Sequence, residues 1–163
     1  VLPEQIYNKG QNKTSDWIVQ DKENIVFIEC KAKKLTMLSK VETELKEAFI
    51  KDVVENQWFS QENKRKYIDS CENSLTRDTI IIGMGIGKMY KVCNDFLNNK
   101  IDALPFNSSQ ILRPILVTME EWFAGIPDVR EAITTIAKGY LRYKSISCDL
   151  IDRFPFQIMS VLF

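Results

Sequence analysis

The chain has 163 residues, 45% of them hydrophobic, enough for one core and short of two comfortable domains. Lysine plus arginine and aspartate plus glutamate number 22 each, so any attraction to a polyanion has to come from a local patch, not from net charge. The complete lack of histidine excludes histidine general bases, Ser-His-Asp triads and histidine-ligated zinc.

Residues 1–14 are polar, with Gly10 and Asn12 as breakers, and read as a lead-in with room for one short helix. "DWIVQ" and "IVFIECKAK" are rich in β-branched and aromatic residues and flank "DKEN", a good turn composition; together they predict a β-hairpin. Their apolar residues run almost without alternation, which predicts a sheet covered by helices on both faces. Ser39 and Glu42 have capping-box spacing, and Val41, Leu45, Phe49 and Val53 then recur every four residues, so a helix is expected there. Glu42–Lys46 and Glu47–Lys51 are expected i, i+4 pairs on its wet side. The polar stretch from Ser60 to Asp78 reads as a surface excursion or a short exposed helix.

Thr79 to Ile82 look like a strand, and Ile86, Met89, Tyr90, Cys93 and Leu97 have helical spacing. A helix is therefore expected from about Gly85, because three glycines inside a helix cost about 1 kcal/mol each relative to alanine. "GMGIGK" invites a phosphate-loop reading. It fails: the dinucleotide pattern needs glycine where Lys88 stands, and the P-loop needs glycine at Ile82 and Ser or Thr at Met89. Close packing by small residues is the better account.

"RPILVTMEEWF" predicts a strand ending near Met119. Asp128 and Glu131 open an amphipathic helix with the stripe Val129, Ala132, Ile133, Ile136, Ala137, Tyr140 and Leu141, and "FQIMSVLF" predicts a last strand. The expected fold class is α/β, a mixed central β-sheet flanked by helices. One domain over residues 1–163 is expected, and a piece of a longer chain is compatible with both ends. No apolar run approaches the ~20 residues of a membrane span. The four cysteines, Cys30, Cys71, Cys93 and Cys148, show no C-x-x-C pair and read as buried free thiols of a cytoplasmic protein.

E-x-K occurs three times, at Glu29–Lys31, Glu44–Lys46 and Glu62–Lys64. Only Glu29-Cys30-Lys31 ends an apolar strand. There, side chains two residues apart share a face, and Asp16 reaches the same side from across the hairpin. Such charges at the edge of a buried sheet are costly unless they are paired or bind a metal. A Glu29–Lys31 or Asp16–Lys31 salt bridge is the plain reading. The chemical reading is a site for Mg²⁺ or Mn²⁺ on two carboxylates and a main-chain carbonyl, with a lysine acting on an attacking water or a phosphate.

An acid, a turn and E-x-K on a β-hairpin followed by a helix resemble the PD-(D/E)xK nuclease superfamily, whose fold is restriction-endonuclease-like. Asp16 matches the family's aspartate, with Ser15 where proline is common, and Glu29 and Lys31 match its E-x-K. The likeness is good over residues 14–56 and looser over "RPILVTMEEWF" and "FQIMSV". It implies a nuclease hydrolysing DNA with Mg²⁺ (or Mn²⁺) on Asp16, Glu29 and the Cys30 main-chain carbonyl, and with Lys31 on the nucleophilic water. Glu4, Gln57 and Lys88 are additional candidates for the site. Lys33, Lys34 and Lys40 continue the basic character and are candidates for backbone phosphates. The alternatives are an inactive nuclease-fold binding or assembly module and an RNA-cleaving nuclease. The oligomeric state is left open.

Overall fold

The computed structural model describes residues 1–31, 45–119 and 126–161. The capping box at Ser39 and Glu42, Val41, the Glu42–Lys46 pair, and Lys33, Lys34 and Lys40 lie outside the described residues.

The lead-in carries β1 (Leu2–Pro3), β2 (Ile6–Tyr7) and β3 (Asn12–Lys13) in place of a short helix. The reason is local. Asn8, Lys9 and Gly10 take positive φ of 52°, 53° and 83°, which turns the chain back on itself. The Thr14 hydroxyl accepts from the Gln5 N–H at 2.7 Å, which closes the β2–β3 ribbon. The expected hairpin forms as β4 (Trp17–Gln20) and β5 (Asn24–Lys31), antiparallel, with Trp17 opposite Ile28 and Ile18 opposite Phe27. Its turn is held by Asp21 Oδ1, which accepts from the N–H groups of Glu23 at 2.7 Å and Asn24 at 2.6 Å.

Helices α1 (Glu47–Glu55), α2 (Gln61–Ser70) and α3 (Ser74–Leu97) come next, then β6 (Ile111–Thr118), α4 (Pro127–Tyr143), α5 (Asp149–Arg153) and β7 (Gln157–Ser160). The main sheet has the order β1-β4-β5-β6-β7; β5–β6 and β6–β7 are parallel, and β2–β3 form a separate ribbon. The expected mixed α/β architecture is therefore present. The sheet is not buried on both sides among the described residues. Ile18, Ile25, Phe27, Leu112 and Leu116 are buried on one face, whereas Trp17 is 48% and Met159 52% exposed on the other. β-branched residues favour strands whether or not a layer covers them, so the apolar run overstated the cover.

One further reading changes. Lys51 pairs with Glu55 at 3.7 Å in place of Glu47. Of the two readings of the polar stretch, the short exposed helix is the one present: α2 is capped by Ser60, whose hydroxyl accepts from the Asn63 N–H at 3.2 Å, and only its Tyr67 is buried.

Thr79 to Ile82 are helical: α3 runs unbroken through all three glycines. A Cβ at Gly83 would stand 2.7 Å from the Ile136 Cβ, and one at Gly87 would stand 2.8 Å from the Tyr140 Cβ. The glycines, four apart on α3, face residues four apart on α4, so the two helices approach closely along one ridge. That packing outweighs the unfavourable glycine propensity, and with it the strand reading of "TIII" falls.

Tyr7 ties the ribbon to the far end of α3. Its hydroxyl donates to Asp95 Oδ2 at 2.6 Å, and Lys91 Nζ meets the same oxygen at 2.8 Å. Burial, and then the bond to Asp95, push the Tyr7 phenol far above its ordinary range, so it stays a neutral donor. Hydrogen bonds to charged groups contribute about 1.5–3 kcal/mol, so Tyr7→Phe is expected to lower stability by about 2 kcal/mol. A urea titration checks this, with the midpoint falling and the slope unchanged.

All four cysteines are free thiols, but only Cys71 and Cys93 are buried; Cys30 is exposed, because alternation turns its side chain away from that of Glu29. Among the described residues no helix is long and apolar enough to cross a membrane.

Candidate active site at the end of the hairpin

The site is built by register. Trp17 pairs with Ile28, so one step further out Asp16 lies opposite Glu29. Residues directly opposite in an antiparallel pair project on the same face, and Glu29 and Lys31 continue the face of Ile25 and Phe27. Asp16 and Glu29 accordingly line one depression of about 410 Å³, together with Glu4, Ser15, Lys88 and Lys144. Both carboxylates line that depression, whereas Lys31 is not among its lining residues and meets Glu29.

The charges are also held in place. Asp16 Oδ2 accepts from the Cys30 N–H at 2.7 Å, so its carboxylate takes over a backbone donor at the end of β5. Its other oxygen accepts no hydrogen bond among the described residues. Lys31 Nζ meets Glu29 Oε1 at 2.5 Å, with side chains 27% and 19% exposed. This is the pair anticipated as the plain reading, and the chemical reading requires the same proximity. The Lys31 stem passes over Gly85, where an added Cβ would stand 3.2 Å from Lys31 Cε. The middle glycine of the cluster thus leaves room for the lysine of the site.

The other candidates separate. Glu4 lines the depression and pairs with Lys13 at 3.1 Å. Lys88 lines it too, reaching in from α3. Gln57 does not: it is exposed at the end of α1, with φ 51°, away from the depression.

Two further groups near the site are neutral. Partial desolvation raises the Cys30 thiol although its side chain is exposed, and the Asp16 and Glu29 charges raise it further, so it is a poor thiolate nucleophile. Burial pushes Tyr140, which lines the depression, up to about 12.

The donor set fits a hard cation. Among the described residues no group of three or more histidine, cysteine or acidic side chains is placed to hold a metal. Asp16, Glu29 and the Cys30 carbonyl between them offer oxygens only, the donor class of Mg²⁺ and Mn²⁺, which keep several waters when few protein ligands are present. Ser15, next to Asp16, is 2% exposed and its hydroxyl has no hydrogen-bond partner among the described residues.

Sequence reasoning passed over Lys64 and Lys144. Each reaches the neighbourhood from a different helix, α2 and the end of α4, and neither sits in a motif. Only tertiary structure brings them near. Comparison of the chain with protein-family models, with curated proteins and with solved structures returns no match.

Proposed function

We propose that this chain is a metal-dependent nuclease that hydrolyses phosphodiester bonds in DNA, built on a restriction-endonuclease-like fold. The single observation that carries the reading is the placement of Asp16 and Glu29 in one depression, on one face, with Lys31 against Glu29. An antiparallel hairpin followed by parallel crossovers supports the fold assignment.

Asp16, Glu29 and the Cys30 carbonyl would hold Mg²⁺ or Mn²⁺. Bound there, the ion would supply Lewis acidity toward a phosphate oxygen and acidify a coordinated water. The Cys30 N–H fixes the Asp16 carboxylate in orientation, so less ordering is left for the moment of binding. Lys31, which meets Glu29 and passes over Gly85, would present its ammonium to an attacking water or to charge developing on the phosphate. Glu4 and Lys88 line the same depression.

A second reading is favoured by one observation. The Glu29–Lys31 pair and the Asp16–Cys30 bond satisfy the charges with no ligand at all, as an inactive binding module of the same fold would need.

The two separate on one experiment. Purified chain is incubated with supercoiled plasmid under Mg²⁺, Mn²⁺ or EDTA, with an RNA substrate in parallel. Nicking that requires the divalent ion supports the proposal, cleavage of RNA alone redirects it to a ribonuclease, and an inert chain in every arm leaves the binding module.

A further inference from the structure

Beside the depression of Asp16 and Glu29 lies a second hollow of about 320 Å³, and Lys88 and Lys144 line both. Ser60, Lys64 and Tyr143 line it as well, and no carboxylate does. The absence of acids is informative in a chain whose charges balance overall. Neither Lys64 nor Lys88 makes an ion pair among the described residues. Lys144 stands over the rings of Tyr140 and Tyr143 at 6.0 and 5.0 Å and makes no ion pair among the described residues.

The arrangement is unfavourable for the Lys64 ammonium. Burial holds the Lys64 ammonium below the usual lysine range, and the Lys88 and Lys31 charges lower it further. Lys88 and Lys144 are exposed, but Lys64 is half-buried and loses hydration beside like charges, and among the described residues no ion pair to it offsets that cost. An anionic ligand would.

Resting on the DNA-hydrolase reading, we infer that Lys64, Lys88 and Lys144 form a phosphate subsite that holds the sugar–phosphate backbone beside the bond presented to Asp16, Glu29 and Lys31. Lys88 and Lys144, common to both hollows, make the track continuous. Lysines offer compact charges without the bidentate fork that reads base edges, so the subsite positions the strand and leaves sequence unread.

The test measures binding in EDTA, where metal-dependent turnover is off. A fluorescein-labelled DNA duplex is titrated by anisotropy over a range of sodium chloride concentrations. The Lys64→Gln/Lys88→Gln/Lys144→Gln variant is expected to bind at least about tenfold more weakly at low salt, with the slope of log K against log salt reduced by about 2–3. The matching Lys→Arg variant keeps the parental slope. So does Lys22→Gln/Lys51→Gln/Lys66→Gln, which removes equal charge from exposed positions elsewhere. Lys64→Met alone is expected to weaken binding while raising the melting temperature, because it removes the repelled ammonium; a lysine needed only for packing would lower it.

A parent that does not bind, a parental slope in the subsite variant, or equal losses in the two glutamine triples would overturn the subsite. An inert parent that still binds with a slope set by these lysines sinks the hydrolase reading and leaves the subsite standing.

Discussion

Asp16→Asn and Glu29→Gln are each expected to abolish Mg²⁺-dependent nicking while the protein stays folded. Both changes keep side-chain shape and remove ligand charge, and a divalent ion held by so few protein oxygens does not tolerate the loss of either. Asp16→Asn retains an oxygen that can accept from the Cys30 N–H, so the strand end is expected to hold. Lys31→Ala separates binding from chemistry. Lysine is not a ligand, so metal affinity should be kept and the rate should fall about 10²-fold or more, the usual scale for losing one acid–base or electrostatic group. Calorimetric metal affinity, melting temperature and nicking rate for each variant decide the matter. A Lys31→Ala protein that cuts at the parental rate would remove Lys31 from the mechanism.

The largest effect on stability is expected at Gly83 and Gly87. Alanine at either position gains about 1 kcal/mol of helix propensity. Against that, the new Cβ would stand 2.7 Å from the Ile136 Cβ or 2.8 Å from the Tyr140 Cβ, atoms that move only if α4 moves. Overpacking a tight interface costs about 1–3 kcal/mol per site, and separating two long helices lies at the upper end. The Gly83→Ala/Gly87→Ala protein is therefore expected to lose about 3 kcal/mol, or about 6–12 °C in melting temperature for a chain of this size. The two losses should be less than additive, because the first substitution already parts the helices.

Gly85→Ala is the internal contrast. Its Cβ would meet only the flexible Cε of Lys31, at 3.2 Å, so stability should rise by up to about 1 kcal/mol. Nicking should slow as Lys31 is displaced. If Gly83→Ala also raised the melting temperature, the close approach of α3 and α4 would be wrong.

Much of the candidate site was legible in the chain, because its parts are close in sequence and strand geometry is periodic. The β4–β5 hairpin, the strand β6 and the stripe of α4 follow from local pattern. The same-face placement of Asp16, Glu29 and Lys31 needs only a hairpin register and a two-residue repeat. Local pattern also misled. "TIIIG" has strand composition but belongs to α3, because the face of α4 that rewards glycine at 83 and 87 lies some fifty residues away. The near-continuous apolar run of the hairpin promised a two-sided cover that the described residues do not show.

Gln57 and Lys88 looked equally plausible along the chain, and the fold alone separated them by turning α3 toward the depression and the end of α1 away from it. Lys64 and Lys144 could not be picked out from 22 basic residues. A lysine in a sequence carries its charge but not its neighbours. Whether three ammoniums stand together without a carboxylate depends on how α2, α3 and α4 pack, a long-range arrangement that no local pattern encodes.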